Sequence, residues 1–411
     1  MGSPEPVLLR AARWLTLGSA VSVLFSIAAC QILLALALAA LLFSGAKLRL
    51  PPIWLPLGLF LLATLISLAL SDNPTLGLPQ VRKFYVFLEL LVVFSTLRDV
   101  VLIRRLFLCW AAVGAVLALR GFVQFAAKVR EAHALGQSFY DFYVPARITG
   151  FMSHWMTYSG QEMFILLMLA AFLFFAPGTG RLAWLWGACG VLVGVALVLG
   201  FTRSIWLATA GAGLYLLWGW RRAVALATPA LLLAGILVSP GWVKERFRSI
   251  LRPSKVDSNA FRVVTTRTGL EMIRAHPWFG LGPEEVKYQF DRYVPPDIPR
   301  PLPDGWYGHL HNIYLHYAAE RGIPAMLILL WLLGRILFDF LRGLKGLPPG
   351  PSDARFVLAG GVAVVLAVLL EGFFELNLGD SEVLTMFLVV VGCGYLALET
   401  ARGRREERAV V

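Results

Sequence analysis

Leu182–Leu199 reads LAWLWGACGVLVGVALVL, a run without a charge and without a polar face. A helix needs roughly 20 apolar residues to cross a hydrocarbon core of about 30 Å. Inside lipid each backbone N–H and C=O must be satisfied within the segment, so such a run is a helix. A soluble all-helical protein would need a polar face to meet water, and this run offers none. Comparable runs recur near 8–27, 30–43, 53–70, 79–97, 102–126, 156–176, 204–220, 223–238, 324–341, 356–374 and 383–399. Ser26–Gln31 reads either as a tight turn or as a polar notch in one long helix. The sequence therefore predicts an all-α polytopic membrane protein of about twelve transmembrane helices.

Composition agrees with that reading. Of 411 residues, 58% are hydrophobic and 15% charged. The formal charge of +12 points away from nucleic acid once topology is considered, because Lys and Arg collect in cytoplasmic loops. Lys47/Arg49, Arg98/Arg104/Arg105, Arg181, Arg221/Arg222 and Arg342/Lys345/Arg355 fall on one side with both termini. The last turn of the opposite side carries Glu371, Glu375, Asp380 and Glu382. Both termini are thus expected in the cytoplasm of a bacterial inner membrane. All four cysteines lie in or beside apolar runs and read as packing residues. No cleavable signal is evident.

A polar stretch from Gly241 to Leu310 interrupts this pattern and is expected as a large, partly helical periplasmic loop. The organisation is then 1–239 for the first nine spans, 240–323 for the loop, and 324–411 for the last three spans and tail. Within the loop, Ser258 is positioned to cap a helix running to the Pro277 stop. His309, His311 and His316 gather where the chain re-enters the membrane.

Three basic sites sit on the outer side against the charge bias: Arg82 with Lys83, Arg147, and Arg203 between two deeply apolar spans. Snorkelling to lipid phosphates is one reading. A buried anion site is the other, and Arg203 favours it because its link leaves no room for a long loop. Guanidinium forks suit phosphate oxygens and stay charged, so Arg82, Arg147, Arg203 and Arg262 suit a leaving diphosphate. His311 suits a general base, since imidazole titrates near neutral pH. Asn312 is placed to orient a neighbour or a substrate hydroxyl, with His309 in support. The spacing of His309, His311 and His316 puts no two on one helical face, and no nearby carboxylate or cysteine completes a metal set, so no metal is expected.

These motifs carry a resemblance. Thr202-Arg203-Ser204 with Trp206 resembles the Thr/Ser-Arg-Ser-x-Trp signature of the O-antigen ligase and polymerase superfamily, although Gly200-Phe201 keeps its small polar context only in part. Arg262, Glu271-Met272-Ile273 and His276-Pro277-x-x-Gly280-x-Gly282 are similar to that family's loop motif. His311-Asn312 followed after nine residues by Gly322 matches its ligase histidine motif, with Glu320-Arg321-Gly322 leading into the next span. The resemblance implies a GT-C-like membrane glycosyltransferase that needs no cofactor and no metal. Its donor would be O-antigen on undecaprenyl diphosphate and its acceptor the lipid A–core oligosaccharide. His311 would be the base, and Arg203 and Arg262 would bind the donor diphosphate; Arg147, Arg82 and Lys83 are added on topology alone. A polymerase of the same fold shares the donor, but the histidine motif favours ligase. A lipid-linked glycan flippase would show repeated halves and ionisable groups at the midplane, and a membrane scaffold would have no need for this histidine and these arginines.

Overall fold

In a computed structural model that describes residues 6–251 and 259–410, the chain is helical, with no strand among the described residues. The first half comprises α1 (Val7–Ser22), α2 (Ile27–Phe43), α3 (Trp54–Ala69), α4 (Pro74–Arg82), α5 (Leu88–Thr96) and α6 (Val100–Ala134). A short α7 (Phe139–Tyr143) precedes α8 (Trp155–Phe175), α9 (Ala183–Leu199), α10 (Arg203–Trp220) and α11 (Arg222–Val238). The polar stretch supplies α12 (Gly241–Leu251), α13 (Asn259–Ala275) and α14 (Glu285–Gln289). The chain then runs through α15 (Ile313–Gly346), α16 (Asp353–Glu371) and α17 (Ser381–Val410). Ser258, the expected cap of α13, lies outside the described residues.

Six segments are long and apolar enough to cross a membrane: Val100–Ala134, Trp155–Phe175, Gly180–Leu199, Ile313–Gly346, Asp353–Glu371 and Ser381–Gly403. Ile27–Phe43, Trp54–Ala69 and Arg222–Val238 are shorter apolar helices. These features are those of a polytopic membrane protein. The Ser26 ambiguity resolves as a turn, because the Ser26 side chain caps α2 by accepting from Ala29 N–H at 3.2 Å. The expected single helix over 79–97 is instead broken into α4, a 3-10 turn at Lys83–Phe87, and α5. Pro79 inside α4 removes a backbone donor, which weakens continuation of a regular α-helical ladder.

Burial separates a centre from a rim. The apolar windows of α8, α16 and α17 are 72%, 67% and 83% buried, whereas that of α9 is only 22% buried. Trp184 and Val191 accordingly stand exposed on α9, as side chains facing lipid would. At one end of the bundle an Arg49–Glu399 ion pair and an Arg104–Asp353 contact of 3.4 Å draw the basic segments together.

At the other end the polar stretch forms a packed lobe. Val264, Met272, Leu281, Val286, Phe290 and Leu310 make a small core of their own. Two glycine motifs lock this lobe to α15. Leu281 N–H bonds Ala319 O at 2.9 Å, Gly282 N–H bonds Glu320 O at 2.8 Å, and Ile323 N–H bonds Pro277 O at 2.8 Å. Gly322 breaks α15 with φ 84°, and a Cβ there would lie 2.1 Å from Trp278 O. A Cβ on Gly280, also at positive φ, would lie 2.2 Å from the Glu320 carbonyl carbon. The backbones touch because neither residue carries a side chain.

Candidate active site

A cavity of about 620 Å³ opens beneath the lobe, between α13, the His309–Asn312 turn, the start of α8 and the turn joining α16 to α17. Arg147, His154, Arg262, His309, His311 and Glu375 are among its lining residues. His311 is placed by its backbone: at φ 48° it occupies the left-handed region that non-glycine residues seldom adopt. The His311 N–H donates to His309 Nδ1 at 3.0 Å, and the two rings stand 3.9 Å apart. Asn312 ends this turn by capping α15, accepting from Tyr314 N–H and Leu315 N–H at 3.0 and 2.9 Å. Its amide nitrogen donates to Phe373 O at 3.1 Å. Asn312 thus supports the site through the backbone.

Glu375 is the hub. Its carboxylate accepts from His311 Nδ1 at 3.0 and 3.1 Å, faces His309 Nε2 at 3.3 Å, and lies 3.6 Å from Arg262 Nη2. Burial alone would raise its pKa, but the hydrogen bond from His311 and the positive charge of His311 and Arg262 outweigh that and hold it down at about 2. Burial pushes His309 down to about 3, against the pull of Glu375, so its ring is neutral at pH 7 with Nε2–H toward Glu375. His311 Nε2 donates to Trp306 O at 3.1 Å. Both nitrogens of His311 therefore face acceptors, an arrangement the doubly protonated ring satisfies in full.

The expectation that no carboxylate joins the histidines is corrected here: His309, His311 and Glu375 converge closely enough to be a metal-ligand set. Helical spacing misled because His309 and His311 sit in a left-handed turn, where alternate residues can share a side. Arg262, 3.6 Å from Glu375, places a fixed positive charge beside that set, which opposes a divalent cation. His316 points elsewhere, its Nε2 being 3.4 Å from Glu320 Oε1 in the buried base of the lobe.

The arginines divide. Arg147 and Arg262 line the cavity. Burial pushes Arg147 down to about 9, helped by the charges of Arg246 and Arg203, and it remains a cation at neutral pH. Burial also lowers Arg262, and its Nε finds no hydrogen-bond partner among the described residues. Among the described residues, the cavity wall includes neither Arg203 nor Arg82 nor Lys83. Arg203 is turned to α12, donating to Ser249 O and Oγ at 2.6 and 3.1 Å. Arg82 is exposed on α4, and Lys83 donates to Gly379 O at 3.2 Å beside a separate groove.

Sequence reasoning missed two residues. Arg246, 3% exposed, donates to Phe201 O at 2.9 Å and to Tyr140 Oη at 3.2 Å, and adds its charge to Arg147 and Arg262. Glu375 was legible only as part of an acidic turn. Arg147, Arg203, Arg246 and Arg262 influence one another electrostatically, and cations crowded without matching carboxylates form a field suited to a multiply charged anion.

No curated protein matches the chain. Residues 188–330, from α9 into α15, match the family model described as O-Antigen ligase; this stretch holds Arg203, Arg246, Arg262, His309 and His311, and the match accords with the O-antigen ligase/polymerase superfamily.

Proposed function

We propose that this protein is an O-antigen ligase, transferring O-antigen from undecaprenyl diphosphate to the lipid A–core oligosaccharide by metal-independent, inverting glycosyl transfer. In this reading about twelve helices cross the bacterial inner membrane, both termini are cytoplasmic, and the lobe and cavity face the periplasm. The observation that carries the proposal is the His311–Glu375 pair on a cavity that Arg147 and Arg262 also line.

Glu375 holds the Nδ1–H of His311, which leaves Nε2 to act as the base. The Trp306 carbonyl, 3.1 Å from Nε2, stands where the acceptor hydroxyl would lie. Trp306 is 57% exposed and flanked by Gly305 and Gly308, so its displacement by substrate disturbs little packing. The acceptor oxygen then bonds to the anomeric carbon as its proton passes to Nε2. The bond from that carbon to the diphosphate oxygen breaks, and undecaprenyl diphosphate leaves with the electron pair. Arg147 and Arg262 stabilise the departing charge, the part a metal plays in other phosphate-leaving chemistry. Attack opposite the leaving group converts an α-linked carrier sugar into a β-linked product.

Purified protein supplied with undecaprenyl-diphosphate-linked O-antigen and lipid A–core should yield covalently joined lipopolysaccharide. Extension of the carrier-linked glycan with no transfer to lipid A–core would assign the site to a polymerase. Movement of the lipid with no new glycosidic bond would assign the chain to transport.

A further inference from the structure

A second recess lies across the Asn377–Gly379 turn from the cavity. Its walls are apolar and come from four places: the 3-10 turn after α4, α3, α15 and the start of α17. Phe84, Phe87, Leu329, Leu332, Leu384 and Leu388 form most of the surface. Leu332 lies ten residues beyond the Gly322 break, about 15 Å down the helix axis and half the depth of a hydrocarbon core. The groove is narrow, with an open volume of about 60 Å³ against 620 Å³ for the cavity. A lipid with several acyl chains does not fit such a slot; one chain does.

The wet end of the groove is cationic. Lys83 and Arg321 both line it, with Gln80 beside them. Arg321 is 6% exposed, and its Nε makes no hydrogen bond among the described residues. Its guanidinium rests on the rings of Phe60 and Tyr317 at 5.2 and 4.5 Å, and Nε is 3.8 Å from Glu320 Oε2. Asn377, on the dividing turn and 4% exposed, lines the cavity with neither amide atom hydrogen-bonded among the described residues. Unpartnered polar groups at such burial are costly, and each aims at the path from the groove head to the cavity.

We infer that this groove takes the single prenyl chain of a polyprenyl phosphate, with the phosphate-bearing end at Lys83 and Arg321 and its continuation crossing Asn377 to reach Arg262. The inference rests on the reading of the protein as a transferase with a polyprenyl-linked donor, and it names the side from which that donor enters. It separates the two lipid-linked substrates in space: the carrier's tail occupies the α3–α15–α17 side, leaving the α8 side of the cavity for the acceptor. Lys83 becomes a carrier-binding residue acting outside the cavity, and Arg321 joins it although no expectation assigned it a role.

The test uses the full chain in detergent, with undecaprenyl phosphate as the probe and dioleoyl phosphatidylglycerol as competitor, read by native mass spectrometry. Wild-type protein should retain one undecaprenyl phosphate. Leu384→Trp, which fills the groove from a half-buried position, and Lys83→Gln should each weaken retention about tenfold, the size expected from losing one charge-assisted hydrogen bond or its equivalent in packing. A photo-crosslinking residue at position 384 in otherwise wild-type protein should label the prenyl chain, a readout independent of how the substituted variants fold. Unchanged retention in both variants, absence of the crosslink, or equal displacement by phosphatidylglycerol would each overturn the groove. Carrier bound as described but no glycan transferred by wild type would retain the groove and remove the ligase reading. Wild-type transfer by Leu384→Trp with unchanged retention would do the reverse.

Discussion

His311 Nδ1 and Glu375 Oε1 are 3.0 Å apart, joining residues 64 positions distant in sequence across two intervening membrane helices. This contact fixes which ring nitrogen of His311 is committed and which is available to a substrate. Glu375 touches Arg262 as well, so the base and the diphosphate-binding cation share one carboxylate. Proton transfer and leaving-group charge are thereby coupled through a single buried group.

Glu375→Gln keeps the side-chain shape and removes the charge. Transfer should fall about 10²-fold with donor affinity nearly unchanged, because Nδ1–H loses the partner that sets its orientation. Steady-state kinetics separate the two: a fall confined to the donor KM would instead make Glu375 a binding residue. Glu375→Asp, which restores charge at a shorter reach, should recover part of the loss.

The same residue sets an acid limit on stability. Its pKa is held at about 2 in the folded protein, below its ordinary value near 4.3, so its stabilisation is present above that ordinary value and is lost as pH falls through 2. The contribution is about 3 kcal/mol. Thermal melts between pH 5 and pH 2.5 should show wild type losing stability more steeply than Glu375→Gln. Parallel curves would show that the ion pair contributes nothing to folding.

Arg262→Lys should cost transfer nearly as much as Arg262→Ala, about 10²-fold, because a point charge replaces a planar fork whose Nε is the unpartnered donor. Donor binding by isothermal titration should weaken in step. Wild-type affinity in Arg262→Lys would mean that only net charge matters there.

Gly322→Ala should destabilise the junction of lobe and bundle by more than the roughly 1–2 kcal/mol of a left-handed alanine, since its Cβ would also meet Trp278 O. Limited proteolysis within 241–310 is the readout. Cleavage should speed up in Gly322→Ala and equally in Gly280→Ala, because both residues belong to one contact.

Chelation discriminates between two uses of the His309–His311–Glu375 cluster. With Arg262 opposing a bound cation, EDTA should leave transfer unchanged. Loss of activity restored by a divalent metal would turn the cluster into a metal centre.

Much of this was legible in sequence, and the rest failed for definable reasons. Leu182–Leu199 announced a lipid-facing helix because lipid leaves the backbone no other choice. The Gly280 and Gly322 motifs could be seen separately, but not that one packs on the other, since close backbone approach leaves no side-chain signature. Glu375 could not be paired with His311 because long-range contacts across two helices have no periodicity to read. The relation of His309 to His311 was misjudged because helical spacing does not apply in a left-handed turn. Arg203 was expected at the cavity from its short link between apolar spans; its hydrogen bonds to Ser249 instead direct it toward α12.

The central claim is that His311 is the base of a glycosyl transfer. The most direct measurement is the rate of glycan joining to lipid A–core by purified His311→Ala, with donor binding followed in the same preparation. The account requires a loss of about 10²–10⁴-fold in rate with the donor still bound. Transfer at the wild-type rate by a properly folded His311→Ala protein would contradict it.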